Sequence, residues 1–188
     1  AQYAPQGTPL HKGAAKAGEA AETPATKALA KALQKEKLTL IVLGPATNIA
    51  AVLRLHPELK PQITQIIAVA GRRPNQHFQL PKQTKPFRDL NFELDPAAFQ
   101  TILDSKIPLT LAPWEISSKV WIEPADLKTL EEANPKLKPL IEAATDWLDF
   151  WQKTFQAKGF NPFDALAVGY AANPKGFLCD RVKLEIVT

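Results

Sequence analysis

The chain has 188 residues, of which 45% are hydrophobic and 22% are charged, so it can form a folded core of ordinary domain size. Its net charge of +4, from 23 Lys and Arg against 19 Asp and Glu, is too small a bias to predict nucleic-acid binding. Its one cysteine, Cys179, excludes an internal disulfide and a zinc site built from cysteine pairs. Because it lacks a run of about 18 apolar residues, the sequence predicts a soluble protein without membrane association. The compartment stays open between the cytoplasm and, after removal of a signal peptide, the periplasm or the exterior.

The two ends of the chain differ from its middle. Residues 1–25 are rich in alanine, glycine and polar residues and predict an extended or mobile lead, followed by a single α/β domain over residues 26–188. The last residues, Val182 to Thr188, alternate like a strand that needs a partner. Since the chain also lacks methionine, we expect it to be a piece of something larger.

Helical and strand-like segments alternate along the chain. The predicted elements are a helix over Pro24–Lys37 capped by Thr23 or Thr26, a strand over Leu38–Leu43, a helix from about Asn48 to Leu55, a strand over Gln65–Ala70, a helix over Asp95–Leu103 and a strand over Pro108–Pro113. Short connections between alternating types predict a mostly parallel sheet flanked by helices.

Beyond Trp114 the pattern is mainly helical, over Pro124–Glu132 and Pro135–Lys158. Apolar residues recur every three or four positions through Trp147 and Trp151, which is typical of a core-facing stripe. Stacking of one of these aromatic residues on a nucleobase is the alternative interpretation.

The first predicted strand runs into a sharp corner at Gly44 and Pro45, after which Thr47 and Asn48 offer side-chain oxygens to cap the next helix. Ligands of open α/β sheets bind at the carboxyl ends of strands, so the Leu43 carbonyl and the amides near Asn48 are candidate ligand contacts. An ordinary strand-to-helix connection explains the same residues.

A second polar segment lies just before the helix for which Asp95 and Pro96 are the predicted N-cap and first residue. Asp89 and Asn91 stand two residues apart, and in an extended segment their side chains would share one face. A carboxylate and a carboxamide on one face suit the hydroxyl groups of a sugar, whereas a solvated loop is the alternative.

Four motifs in order resemble those of the inosine-uridine preferring nucleoside hydrolases. They are GPATNIA at Gly44–Ala50, IIAVAG at Ile66–Gly71, LNFELDPAA at Leu90–Ala98 and GFNPFDALAV at Gly159–Val168. The resemblance covers most of the chain from about Thr26 to Cys179 and is weakest between Ser117 and Lys158. It implies a nucleoside-hydrolase-like α/β fold and hydrolysis of the N-glycosidic bond of a purine or pyrimidine ribonucleoside by a calcium-activated water.

The resemblance also implies roles for individual residues. The backbone carbonyl of Leu43 and the carboxylate of Asp164 are the implied calcium ligands, both oxygen donors of the kind that this cation prefers. Asp89 and Asn91 are implied to hold ribose hydroxyls, with Asp89 standing where the family usually has glutamate, and Asn48 is the third predicted substrate contact. A small-molecule nucleoside is the implied partner, and a homo-oligomer is a further possibility.

Two departures from the family pattern limit the implied chemistry. Phe163 occupies the place of a histidine that assists the departing base, and phenylalanine cannot donate a proton, so no catalytic residue is identified. The family's aspartate-rich first strand, with its metal loop, is missing, which leaves calcium fewer oxygens than its usual 6 to 8. We therefore expect a hydrolase that is incomplete and inactive as this chain alone. The alternative is a non-catalytic nucleoside- or anion-binding relative that lost the metal site.

Two further segments carry candidate polar residues. The loop from Gly71 to Arg88 is basic and contains no acid, which suits either a phosphate site or a solvated surface. Glu115 is a candidate acid after the third predicted strand, and we prefer to interpret it as an exposed loop residue.

Overall fold

The computed structural model describes residues 6–19, 21–80 and 82–187. Three parallel strands form its sheet in the order β1 (Leu38–Val42), β2 (Ile63–Ala68) and β3 (Leu109–Leu111). Val42 pairs with Ala68, and Ala68 pairs with Leu111, so the carboxyl ends of all three strands meet at one edge.

Eight α-helices are described, one before the first strand and the others between and after the strands. They are α1 (Pro24–Leu33), α2 (Thr47–Leu55), α3 (Leu90–Glu93), α4 (Pro96–Ser105), α5 (Trp114–Ser117), α6 (Pro124–Ala133), α7 (Lys138–Phe155) and α8 (Asp164–Ala172). Short 3-10 turns occupy Pro57–Gln62, Pro135–Leu137 and Pro174–Gly176. Within the described residues, no helix combines the length and the apolar character that crossing a membrane requires.

Helix α1 begins as its sequence predicts. Thr23 is the N-cap, its Oγ1 accepts from the Thr26 backbone N–H at 3.1 Å, and the Thr26 hydroxyl accepts from the Thr23 N–H at 2.7 Å. This reciprocal pair satisfies two backbone donors that a helix start otherwise leaves unpaired.

The chain forms two compact units. The sheet unit comprises Leu10–Gly71, Arg88–Pro113 and Asp164–Thr188, and the helical unit comprises Ala1–Pro9, Arg72–Phe87 and Trp114–Phe163. The expectation of one domain over residues 26–188 remains a prediction.

Both faces of the sheet are covered within the sheet unit. Adjacent residues of a strand point to opposite faces, and Ile66 packs in the cluster that contains Leu33 and Ile102. Its neighbour Ile67 packs instead with Ala167 of α8. Burial on both faces explains why the second half of β2, Ile66–Ala68, is continuously apolar.

The helical unit is held by α6 and α7. Leu127 of α6 is buried against Ile141 and Leu148 of α7. An isolated antiparallel bridge joins Ile122 to Phe160, with backbone hydrogen bonds of 2.8 and 3.1 Å. Gly159 is required beside this bridge because a Cβ there would lie far inside van der Waals contact with the Ile122 carbonyl.

The strand predicted over Val182–Thr188 is wrong for the described residues 182–187, which form neither strand nor helix. The alternation of side chains is real, since Leu184 and Ile186 are half-buried while Glu185 and Val187 are exposed. A strand also needs a neighbouring backbone to share its hydrogen bonds, and this segment instead lines a cavity with side chains of α4 such as Leu103. Thr188 lies outside the described residues.

Candidate functional site

Leu43 is the first residue after β1. The ladder still reaches Val42, whose carbonyl accepts from the Val69 N–H at 3.0 Å. The side chain of Leu43 is exposed, and a Cβ on the following Gly44 would meet nothing within 4 Å. The strand therefore ends in an open corner at the carboxyl edge of the sheet.

The prediction that Thr47 and Asn48 cap α2 is wrong. Ala46 is the N-cap residue, and it makes no side-chain capping bond. The Thr47 hydroxyl donates to Asp95 Oδ2 at 2.5 Å, and Asn48 Oδ1 accepts from the Ala14 N–H at 2.9 Å. Both oxygens are unavailable to the helix because segments distant in sequence engage them.

Asp95 is the polar centre of this arrangement. It is 3% exposed, and it caps α4 as its sequence predicts, accepting from the Ala98 N–H at 3.1 Å. It also accepts from the Gly18 N–H at 3.0 Å, as well as from Thr47. Burial by itself raises the pKa of the Asp95 carboxyl, but these three hydrogen bonds and the nearby Arg54 outweigh it, and the resulting pKa is below the ordinary value.

The described part of the lead is tied to the sheet unit by the same residues. Gly18 binds Asp95, Ala14 binds Asn48, and the Lys12 carbonyl accepts from the Ala25 N–H at 3.0 Å. A Cβ on Gly13 would lie 2.6 Å from Asn48 Nδ2, so the lead passes directly over the Asn48 carboxamide. The predicted lead also includes residues 1–5 and 20, which lie outside the described residues.

Asp89 and Asn91 are both attached to the end of β2. Asp89 Oδ2 accepts from the Gly71 N–H at 2.6 Å, and its Oδ1 accepts from the Phe92 N–H at 3.1 Å. Asn91 Nδ2 donates to the Val69 carbonyl at 2.8 Å. The expectation of an extended segment is wrong, because Asp89 is the N-cap of α3 and Asn91 lies inside that helix. The two side chains come together because each binds backbone just past the same strand.

Asp164 is the first residue of α8 and is exposed, yet partial desolvation raises the pKa of its carboxyl. Helix α8 contacts both β1 and β2. Ala167, nearly one turn after Asp164, packs with Val69 and Ala112, which directly follow the carboxyl ends of β2 and β3. The start of α8 therefore belongs to the carboxyl edge at which β1 ends.

The side chains at this edge do not by themselves fit a calcium ion. Within residues 6–19, 21–80 and 82–187, no three His, Cys, Asp or Glu side chains cluster so that they could hold a metal. Asp89 and Asp95 already accept hydrogen bonds from backbone N–H groups. The Leu43 carbonyl and the Asp164 carboxylate remain, against the 6 to 8 oxygens that calcium usually takes.

Phe163 belongs to an aromatic cluster of the helical unit. Its ring centroid is 5.3 Å from that of Phe78 and 6.1 Å from that of Trp151, and Phe78 lies 5.5 Å from Trp114. Its φ of 30° is unusual for a residue with a side chain. The cluster thus holds Phe163 by ring packing alone.

Glu115 is not the exposed loop residue that the sequence suggested. It lies half-buried in α5, where its Oε1 accepts from the Arg73 N–H, while its Oε2 is buried without a hydrogen-bond partner among the described residues. Sequence reasoning also missed Ser117 and Asn161, which are buried polar residues of the same unit. Asn161 lies inside the GFNPFDALAV motif, and its place in that motif is the sequence signal that could have identified it.

The basic loop is exposed at its charged residues. Arg72, His77, Lys82 and Lys85 all face solvent. Arg88 differs because its Nε lies 2.6 Å from Glu93 Oε2 in an ion pair. The phosphate site suggested for this loop stays a prediction.

A model of the family described as inosine-uridine preferring nucleoside hydrolase matches residues 4–188. The pyrimidine-specific ribonucleoside hydrolase RihB of Escherichia coli (strain K12 / DH10B) is 26% identical over 153 residues, which cover 79% of this chain and 46% of that protein. The putative enzyme of the same name from Shigella boydii serotype 4 is also 26% identical, over 79% of this chain and 60% of that protein. The chain thus spans about half the length of the curated relatives it matches.

Solved structures show the same fold. A purine-preferring ribonucleoside hydrolase from Gardnerella vaginalis matches with a TM-score of 0.66 and 22% identity, over 82% of this chain and 49% of that one. The plant nucleoside hydrolase PpNRh1 matches with a TM-score of 0.67 and 22% identity, over 82% of this chain and 49% of that one. These matches confirm the predicted α/β class with a parallel sheet flanked by helices.

Proposed function

The chain belongs to the inosine-uridine preferring nucleoside hydrolase family, and from that membership we propose that it forms part of a site that hydrolyses the N-glycosidic bond of a ribonucleoside. The observation that carries the proposal is the family match over residues 4–188. The open carboxyl edge of the sheet unit supports it, because ligands of α/β sheets bind at that edge.

We assign the ribose end of the substrate to Asp89 and Asn91. An ionised carboxylate has about four lone-pair sites, and the Asp89 carboxylate uses two of them for the Gly71 and Phe92 N–H groups. Its remaining lone pairs can accept from sugar hydroxyls. Asn91 donates through Nδ2 to Val69, which fixes its carboxamide and leaves Oδ1 as an acceptor for a hydroxyl. Asn48 is a third candidate contact. Its carboxamide oxygen already accepts from the Ala14 N–H, which leaves it less capacity to bind a substrate hydroxyl.

The proposed reaction places a water oxygen on the anomeric carbon and breaks the bond from that carbon to the base nitrogen. Positive charge develops on the sugar ring as this bond breaks, and an ionised Asp89 beside the hydroxyls would stabilise it. The hydroxyl of the water stays on the anomeric carbon and its other proton ends on the nitrogen of the departing base, and Phe163 cannot relay that proton because it has no donor group. We assign no preference between purine and pyrimidine bases, because the Escherichia coli relative is named pyrimidine-specific and the Gardnerella vaginalis structure is named purine-preferring.

We propose calcium as the ion of this site because both candidate donors, the Leu43 carbonyl and the Asp164 carboxylate, are hard oxygen ligands. Two donors are fewer than the 6 to 8 oxygens that calcium usually takes, so the proposal requires further oxygen ligands, from water, substrate hydroxyls or residues outside this sequence. We assign no catalytic step to the ion on the basis of these residues.

The test measures base release from inosine and uridine by the chain mixed with the aspartate-rich N-terminal part of a family relative. We expect release only when both parts and calcium are present, and loss of release in Asp164→Ala or with a chelator. Asp146→Ala, an exposed acid of the helical unit, is the matched control and should leave release unchanged. No release from either nucleoside by the complete mixture would contradict the hydrolase proposal, and release that survives the chelator would contradict the metal site.

A further inference from the structure

Helix α7 has one broad apolar surface, and only part of it is covered. Ile141, Leu148 and Phe155 are buried in the helical unit. Leu140, Trp147 and Phe150 keep 47%, 49% and 45% of their surface exposed. Spacings of seven and three residues place these three side chains on one side of the helix, and we refer to them as the α7 stripe.

The α7 stripe is a fixed surface. The rings of Trp147 and Phe150 stack with centroids 5.2 Å apart and an angle of 18° between their planes. Each ring also meets a buried ring edge to face, Trp147 against Trp151 at 6.2 Å and Phe150 against Phe155 at 5.8 Å. Rings already held in place lose little conformational freedom when a ligand covers them, which favours binding.

The border of the α7 stripe is acidic. By helical geometry Glu142, Asp146 and Asp149 lie beside Phe150, on the side of α7 that points away from the buried face, and all three are exposed. Two exposed lysines of the same helix, Lys138 one turn before Glu142 and Lys153, reduce this charge in part, and Lys153 Nζ lies 3.2 Å from Asp149 Oδ2. Such a border repels the phosphates of nucleic acids and anionic lipids and attracts lysine and arginine side chains.

We propose that the α7 stripe docks an amphipathic helix of a partner protein, whose apolar side chains are flanked by lysine or arginine. The apolar side chains would cover Trp147 and Phe150, and the basic side chains would face Glu142 and Asp146, as in other complexes that bind a helix by its apolar face. All of these residues lie in the helical unit, so the proposal does not depend on nucleoside hydrolysis.

The experiment titrates the full chain into a fluorescently labelled 14-residue amphipathic peptide of leucine and lysine and follows its anisotropy. We expect saturable binding that weakens about thirtyfold in Trp147→Ser/Phe150→Ser, as for central aromatic residues of other interfaces. Asp146→Lys and Leu140→Lys, both at exposed positions, should each weaken binding about fivefold. The matched control is Glu132→Gln with Leu130→Ser, an exposed acid and an exposed apolar residue of α6, which should bind as the unchanged chain does.

Four outcomes would overturn the proposal. Affinity unaltered in Asp146→Lys and Leu140→Lys would show that the peptide binds elsewhere, whatever the fold of the double variant. Equal affinity for a peptide with glutamate in place of lysine would show that charge complementarity does not contribute to binding. Binding to phosphatidylserine vesicles in preference to the peptide would make the stripe a membrane contact. Sedimentation showing self-association that Leu140→Lys abolishes would make a second copy of the chain its occupant.

Discussion

In the sheet unit the candidate polar side chains near the strand ends are hydrogen-bonded to backbone groups, whereas several side chains of the helical unit contain a buried polar atom without a hydrogen-bond partner among the described residues. Asp89, Asn91 and Asp95 each hold at least one backbone group. Among the described residues, every buried side-chain nitrogen or oxygen without a hydrogen-bond partner lies in the helical unit, namely Trp114 Nε1, Glu115 Oε2, Ser117 Oγ, Trp151 Nε1 and Asn161 Oδ1.

The two units therefore differ in how completely their polar side chains are hydrogen-bonded. In the sheet unit, hydrogen bonds hold the candidate ribose residues in place before any substrate arrives, which is the preorganisation that binding requires. In the helical unit, Glu115 accepts from the Arg73 N–H and Asn161 donates to the Val120 carbonyl, while Glu115 Oε2 and Asn161 Oδ1 have no partner among the described residues. Each unpaired polar atom costs about 1 to 3 kcal/mol unless water satisfies it.

In the sheet unit, the substitution with the largest expected effect on stability is Asp95→Ala. It removes the N-cap of α4 and the acceptor for both Gly18 and Thr47. We expect the free energy of unfolding in urea to fall by about 3 kcal/mol. Asp104→Ala, at an exposed acid of the same helix, should change it by less than about 0.5 kcal/mol. A loss below about 1 kcal/mol for Asp95→Ala would mean that the network adds little.

Gly159→Ala tests whether the helical unit relies on close packing. Its Cβ would collide with the Ile122 backbone carbonyl, which cannot move without breaking the Ile122–Phe160 bridge. We expect a loss of about 2 kcal/mol in urea unfolding. Gly44→Ala is the matched control, because a Cβ at that position would meet nothing within 4 Å. Equal losses in both variants would contradict the backbone explanation.

A pair of hydroxyl deletions compares the two units directly. Thr47→Val removes a hydrogen bond to a carboxylate and should lower the free energy of unfolding by about 1.5 kcal/mol. Ser117→Ala removes a buried hydroxyl that has no partner among the described residues, so we expect the free energy of unfolding to stay the same or to rise by up to about 1 kcal/mol. If Ser117→Ala proves as harmful as Thr47→Val, a bound water or another group satisfies Ser117, and the contrast between the units disappears.

The smallest expected effect is on the pH dependence of the free energy of unfolding at acid pH. Because the folded-state pKa of Asp95 is below its ordinary value of 3.8, its contribution to stability is present above 3.8 and is lost as the pH falls through the folded-state pKa. Asp164 has the opposite sign, since its raised pKa makes its ionisation slightly unfavourable to the folded state. Unfolding curves between neutral and acid pH should therefore show a shallower acid loss for Asp95→Asn and a slight gain at neutral pH for Asp164→Asn. The reverse order would contradict the assigned causes.

Local rules predicted several elements of the fold correctly. Thr23 before Pro24 and Asp95 before Pro96 are caps whose partners lie three residues away, so the sequence contains both halves of each contact. The three strands follow from short apolar runs, and the four ordered motifs identified the family that the comparison confirms.

Errors arose where a side chain had two possible partners. Thr47 and Asn48 could cap α2, but Asp95 and Ala14, distant in sequence, engage their oxygens instead. The roles predicted for Asp89, Asn91, Asn48, Leu43 and Asp164 in binding substrate and metal stay predictions. What the structure adds is that all five lie in the sheet unit, and that Asp89 and Asn91 bind the end of one strand.

The sequence by itself determined the alternation of strands and helices, the caps Thr23 and Asp95, and the family, because each depends on spacings within a few residues or on motifs read in order. Only the tertiary structure decided that residues 182–187 form no strand, that Glu115 is half-buried, and that α7 leaves Trp147 and Phe150 uncovered. Burial and hydrogen-bond partners depend on segments far apart in the chain. No local pattern specifies which of them will meet.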